Sequence, residues 1–586
     1  MVKIVRYLKP KEWLMAFISL IFIVGQVWLE LKLPEYMAQI TRLVQTPGSA
    51  LGEIWTIGGY MLLSALGSVA SAVIVGFFAA RIGSSFSRRL RSLLFSKVES
   101  FSMEEIRRFS TSSLITRSTN DITQVQMLIV MALQVVIKAP IMAVWAITKI
   151  AGKGVEWSIV TSVGVLIVFI MVTLLMIFVM PQFRRMQQLT DNITRVTREN
   201  LTGLRVIRAY NAEEYQTENF EQANADLTGV QLFTSRAMAF MMPVMTTMMS
   251  GLSLAIYWIG AYLIDRAGML DQLTIFSNMV VFSNYAVQVI MSFMMLVMIF
   301  IMYPRASVSA GRINQVLDTE PSIVDGPKTE GLPSLKGQVQ FDRVCFKYPD
   351  AAEYVLEDIS FTANPGETVA FIGSTGSGKS TLIHLITRFY DASRGEILIN
   401  GVNVRDYQLS ALLNKIGYVP QQAVLFKGSV KSNVDFGDNG RAGPSEDEIR
   451  QALEIAQADD FVEQMEGGIE GSIAQGGSNV SGGQKQRLAI ARAIARQPEI
   501  FIFDDSFSAL DYQTDRTLRN ELKRSTSNAT SLIVAQRIGT IIDADKIIVL
   551  DEGRIVGQGS HRQLLKDCPV YQEIALSQLS EEELAA

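Results

Sequence analysis

Six uncharged, apolar stretches stand in the first 320 residues: 13–29, 54–80, 122–137 (continued past Lys138 to 148), 157–183, 237–264 and 272–304. Each supplies the roughly 20 apolar residues that a helix needs to cross a bilayer, where backbone groups find no water and must bond within the helix. The N-terminal half is therefore restricted to a bundle of membrane-spanning helices. Lys3, Arg6, Lys9 and Lys11 precede the first stretch, as they would in a secretory signal. No small-residue cleavage pattern follows and five further spans do, so the first is read as a retained span.

Loop charge gives the orientation, because Lys and Arg are held on the cytoplasmic side. Segment 81–124 holds eight of them and segment 182–237 holds seven, whereas the other three connections carry only Lys32 with Arg42, then Lys149 with Lys153, then Arg266. Both termini and the two long loops are expected in the cytoplasm. Those loops read as continuing helices, with Arg88, Arg89 and Arg91 before Leu93, Leu94 and Val98, and with Ile193, Val196, Leu201, Leu204 and Ile207 spaced at three to five. The spanning helices should thus project well beyond the lipid. Lys138 is the one charge inside an apolar span, and two readings compete: it lines a transport path, or it snorkels to the interface. Thirteen Met between 238 and 302 read partly as an adaptable apolar surface and mostly as helix packing or lipid contact.

Composition changes sharply after this region. Of 26 Met, 25 precede residue 321, as do all six Trp. A net charge of -4 leaves no basic excess for nucleic acid. The only cysteines, Cys345 and Cys568, are too far apart for a CxxC metal site, and their half is read as cytosolic. Segment 318–337, with Pro321, Gly326, Pro327, Gly331 and Pro333, reads as a linker, which divides the chain into 1–317, 318–337 and 338–586. The expected fold is an all-α membrane domain of six spanning helices fused to an α/β P-loop domain.

The P-loop is explicit. A short apolar strand, 367–372, leads into Gly373, Ser374, Thr375, Gly376, Ser377, Gly378, Lys379, Ser380 and Thr381, followed by the helical pattern Leu382, Ile383, Leu385, Ile386. In this strand-loop-helix context the glycines let backbone N–H groups surround a phosphate, and the helix N-terminus adds its dipole. Lys379 is expected on the outer phosphates and Ser380 on Mg2+. Ile500-Phe-Ile-Phe503 ends in Asp504, as a buried strand ending in a magnesium-directed carboxylate would. Between them, Ser481, Gly482, Gly483 and Gln484 precede a helix and form a second anion-binding terminus, sensible only if it faces a different nucleotide.

Together with Gln421 in Tyr418-Val-Pro-Gln421 and with Ser508, Ala509, Leu510 and Asp511, these motifs resemble the nucleotide-binding domain of an ABC transporter. Six spans with two long cytoplasmic loops resemble the exporter arrangement in which one chain is half a transporter. The resemblance implies that Tyr348 stacks on adenine, that Gln421 contacts Mg2+, and that Ser481 to Gln484 close over ATP held by an opposite chain. It also implies coupling helices near 109–121 and 210–220.

Two positions depart from the family pattern. The general base is a glutamate after the magnesium aspartate, and this chain has Asp505, one methylene shorter. A base must sit within about 2.6–3.2 Å of the proton it takes, so the attacking water is poorly held. The switch histidine is replaced by Gln536, an amide that cannot become cationic. His384 and His561 are the only histidines; the first reads as a packed helix residue and the second as part of a C-terminal motif unrelated to hydrolysis. The pattern resembles the degenerate-site subunit of heterodimeric bacterial exporters: a multi-pass protein of the cytoplasmic membrane that pairs with a half-transporter carrying the intact glutamate and histidine. No metal cluster, acidic ring or evident carboxylate site marks the membrane half, which disfavours ions as cargo. Amphipathic or apolar, drug-like compounds are the first reading, with lipid or peptide as alternatives. A non-hydrolysing ATP-gated regulator or channel is the alternative from another class.

Overall fold

The apolar stretches form helices that run on past the thickness of a bilayer. The computed structural model describes residues 2–46, 48–151, 155–526 and 528–579. It has two units, Met1–Glu99 with Ser112–Thr319, and Ser100–Thr111 with Glu320–Ala586.

The first unit contains α1 (Pro10–Gln45) and α2 (Leu51–Glu99); α3 (Met103–Phe109) belongs to the second unit. It continues with α4 (Thr111–Thr116), α5 (Ile122–Met131), α6 (Lys138–Ala151), α7 (Val155–Ala209), α8 (Glu213–Arg266) and α9 (Met269–Asp318). The 49 residues of α2 rise about 70 Å, against roughly 30 Å of hydrocarbon. Among the described residues five stretches are long and apolar enough to cross a membrane. Trp157, Phe282, Tyr285, Val27 and Ile256 share the unit's core, the Trp157 and Phe282 rings lying 5.5 Å apart. Met245 and Met279 are buried, whereas Met242, Met291 and Met295 are exposed.

The third span is interrupted by π-turns at Arg117–Asp121 and Ala132–Val136. A π-turn adds a residue to the helical turn and so re-aims every side chain after it. Lys138, just beyond the second, meets Glu30 on α1: Nζ lies 2.8 Å from Oε1, which also accepts from the Gln26 amide at 2.8 Å and the Ser68 hydroxyl at 3.2 Å. Its charge is thus compensated by a partner that neither expectation for Lys138 included. Glu35 similarly takes Lys32 at 2.7 Å and Lys149 at 2.8 Å. Both carboxylates fall just beyond the first uncharged stretch, which is why the spans read as free of acidic partners.

The second unit is built on two sheets. The antiparallel one has the order β2 (Leu356–Ala363), β1 (Val339–Phe346), β4 (Arg394–Ile399), β5 (Val402–Asn403). The other has the order β10 (Arg554–Gly559), β9 (Lys546–Asp551), β3 (Thr368–Gly373), β8 (Thr530–Val534), β7 (Ile500–Asp504), β6 (Ile416–Val419). β6, β7, β8, β3 and β9 are parallel, and β10 closes the edge antiparallel to β9. All five residues of β7 are buried, as a parallel strand covered on both faces requires. The expected linker does not hang free: α9 continues to Asp318, and the following segment docks on the domain through Gly326 N–H to Tyr407 O at 2.9 Å and Leu332 N–H to Asn400 O at 2.8 Å.

Candidate functional site

Parallel strands end on the same side of their sheet, so residues far apart in sequence meet beyond their carboxyl ends. β3 delivers the loop 373–378, β6 delivers Gln421, β7 delivers Asp504 and Asp505, and β8 delivers Gln536. The register makes this specific: Val534 pairs with both Asp504 and Phe371, and Val419 pairs with Phe503.

The phosphate loop wraps onto the start of α10 (Lys379–Ile386). Gly378 has φ +95° and an added Cβ would stand 2.6 Å from Leu356 Cδ2, so this position admits only glycine without rearrangement. Gly376, at φ +89°, has open space where its Cβ would be. Lys379 Nζ donates to the carbonyls of Gly373 at 2.9 Å and Ser374 at 2.7 Å. Burial pushes the Lys379 ammonium below its ordinary range, opposed by the two aspartates. The Tyr348 hydroxyl lies 3.0 Å from Thr381 Oγ1 at the other side of the loop.

Ser380 Oγ donates to Asp504 Oδ1 at 2.9 Å. Burial raises the Asp504 carboxyl above its usual range, and this hydroxyl works against the rise. The pair offers two hard oxygens at one point. Mg2+ is commonly held by one or two such groups together with substrate phosphates, so these residues fit it. Among the described residues no cluster of three or more His, Cys, Asp or Glu competes as a metal site.

Asp505 is held differently. Its Oδ2 accepts from the amides of both Gln421, at 3.2 Å, and Gln536, at 2.8 Å. Asp505 itself has φ +49°, and its N–H donates to Val534 O at 3.0 Å. Burial raises its carboxyl, the Gln421 hydrogen bond opposes this, and the like charge of Asp504 adds to it. The short carboxylate is thus fixed by two neutral amides on one oxygen, with no imidazole beside it.

Profiles of two families match this chain: ABC transporter over residues 356–508 and ABC transporter transmembrane region over residues 16–293. An uncharacterized ABC transporter ATP-binding protein of Mycobacterium tuberculosis is 40% identical over 582 residues, 98% of this chain and 97% of that one. The chain belongs to the ABC transporter family. YfiB of Bacillus subtilis, another uncharacterized ABC transporter ATP-binding protein, is 35% identical across 99% of both chains. An ATP-dependent lipid A-core flippase of Hahella chejuensis is 30% identical across 99% of this chain and 97% of its own. Among solved structures, a bacterial Atm1-family ABC exporter with ATP bound shares the fold, at TM-score 0.80, 23% identity, 98% of this chain and 100% of that one. The chain is therefore a multi-pass membrane ABC transporter with an ATP-binding domain and the exporter fold.

The expected signature, Ser481 to Gln484, lies at the exposed N-terminus of α11 (Gly482–Ala495). Ser481 caps it: its Oγ accepts from Gln484 N–H at 3.3 Å, and Gln484 Oε1 accepts from Ser481 N–H at 2.8 Å. Among the described residues these hydrogen bonds stay within that turn and none reaches the phosphate loop of this chain. Gly483 packs under Ala509, whose carbonyl would be 3.3 Å from an added Cβ. Ser508 Oγ donates to Asp505 O at 2.8 Å, and Asp511 caps α12 (Tyr512–Ser525) by accepting from Thr514 N–H at 2.9 Å. Leu510 is buried between them. His384 is a half-buried residue of α10, its imidazole pushed below its usual range by burial, and His561 packs with Nδ1 2.7 Å from the Tyr571 hydroxyl.

Where the first coupling segment was expected, 109–121, the short helix α3, Met103–Phe109, ends at its start and 117–121 is a π-turn. The second expected segment is no separate helix: α7 passes to α8 through Tyr210, Asn211 and Ala212, with Asn211 at φ +51°. Arg107 of α3, absent from the motif reading, places its guanidinium 5.4 Å over the Tyr348 ring.

Proposed function

We propose that this chain is the weak-site half of a heterodimeric ATP-driven exporter, moving amphipathic or apolar compounds out of a bacterial cell across the cytoplasmic membrane. The distribution of Lys and Arg supports cytoplasmic termini and a cytoplasmic ATPase domain. ATP binds with adenine on Tyr348 and phosphates on residues 373–381, while Ser380, Asp504 and Gln421 hold Mg2+, which screens the phosphate charge. Ser481 to Gln484, with the neighbouring turn Ser508 to Asp511, complete the partner's nucleotide site.

The observation that carries this reading is the doubly bonded Asp505. A general base presents a free lone pair to water close to the γ-phosphate. Here the side chain is a methylene short and one oxygen is engaged by two amides. Neither Gln421 nor Gln536 can supply the positive charge that stabilises the transition state. Two copies of such a site would hydrolyse ATP slowly, which argues for an unlike partner with Glu and His. Lipid-like cargo gains support from the relative named as a lipid A-core flippase. The test is co-expression with a half-transporter that carries the intact Glu and His: a stable one-to-one complex with far higher ATPase activity than this chain alone supports the proposal. Equal turnover by this chain alone, as a homodimer, refutes it.

A further inference from the structure

Tyr348 is fixed on several sides. Its ring meets Phe346 edge-on at 5.0 Å and Tyr390 at 5.3 Å and 90°, and its hydroxyl lies on Thr381. The Arg107 guanidinium lies over the ring and close enough to Tyr390 to act on its hydroxyl electrostatically. An aromatic ring has two faces, so a cation on one leaves the other for a base.

Arg107 does not arrive on a loose loop. Ser102 and Glu105 form a reciprocal cap on α3, and Glu105 Oε1 accepts from Ser322 N–H at 3.0 Å, while the Ser102 and Ser322 hydroxyls are 2.8 Å apart. Glu105 is buried. The helix is thereby tied to the segment that enters the ATP-binding domain, and Arg107 is presented from a fixed element.

We infer that Arg107 is a positioning residue for adenine recognition: it holds Tyr348 in the orientation that stacks on the base, so base affinity depends on a residue of the loop joining two membrane helices. This rests on Tyr348 being the adenine platform. Arg107 draws on the face of the Tyr348 π-system, whose negative potential attracts a cation. Its loss frees the ring to rotate and weakens base stacking, while the phosphate loop is untouched.

The inference is tested on the full-length protein in lipid nanodiscs by photolabelling this chain with 8-azido-ATP and measuring protection by ATP and by inorganic tripolyphosphate. Arg107→Ala should raise the ATP concentration for half-protection about three- to tenfold and leave tripolyphosphate protection unchanged. Arg107→Lys, which keeps the cation, should recover most of the ATP affinity. Equal weakening of both competitors, or of neither, overturns the inference, since a merely structural role of Arg107 has no reason to single out the base. Tyr348→Ala separates the two readings: if it leaves the preference for ATP over tripolyphosphate intact, Tyr348 is not the platform; if it removes that preference and Arg107→Ala does not, only the role of Arg107 fails.

Discussion

Lys138→Ala should destabilise the membrane unit through Glu30 rather than through any contact of its own. The substitution leaves the Glu30 carboxylate with only the Gln26 amide and Ser68 hydroxyl. Removing one partner of a fully buried ion pair costs about 3–5 kcal/mol. These side chains retain 19% and 23% of their exposure, so solvent screening reduces the expected cost to about 2–3 kcal/mol. Glu30→Gln made together with Lys138→Ala removes both charges, and its cost should be small, because the desolvation of two ions is relieved with the loss of their attraction. The cycle therefore predicts a coupling of about 4–6 kcal/mol, the two single costs less the small cost of the double. The assay is the thermal midpoint of the purified protein in nanodiscs for wild type, each single variant and the double. Each single variant should melt about 5 °C lower, with the double near wild type. If the double variant loses the sum of the two single losses, the pair contributes nothing and the account of Lys138 is wrong.

Restoring the missing groups should awaken the weak site. In a background carrying Ser481→Arg, which silences the partner's site, Asp505→Glu with Gln536→His should raise steady-state ATP hydrolysis at least about tenfold, because a positioned base contributes about a hundredfold or more. No gain with nucleotide still bound would show that other features keep this site silent. The exposed Met242, Met291 and Met295 beside buried Met245 and Met279 predict a deformable apolar surface. Cells expressing both halves should export several unrelated amphipathic dyes, and export of one narrow class alone would contradict that.

The nucleotide site was legible because its chemistry is local. Gly373 to Thr381 carry their own strand-loop-helix context, and the order of Gln421, Asp504 and Gln536 matches strands that end side by side. Long-range side-chain contacts were not legible. Glu30 and Lys138 are 108 positions apart, and the π-turn at Ala132–Val136 shifts the face on which Lys138 emerges, so helical periodicity gives the wrong direction. Arg107 and Tyr348 are likewise joined only by the fold. The start of α3 did have a local signal, since Ser102-x-x-Glu105 is a capping box.

The central claim is that this chain lends its signature to another site while its own base is idle, and steady-state ATP hydrolysis by the copurified heterodimer tests it directly. Ser481→Arg puts bulk at an exposed helix N-terminus outside this chain's own phosphate loop, whereas Asp505→Asn alters a carboxylate already tied to two amides. With nucleotide occupancy measured separately for each variant, Ser481→Arg should nearly abolish hydrolysis and Asp505→Asn should leave most of it. Hydrolysis silenced as completely by Asp505→Asn as by Ser481→Arg would make this chain's own site a working catalyst and contradict the account.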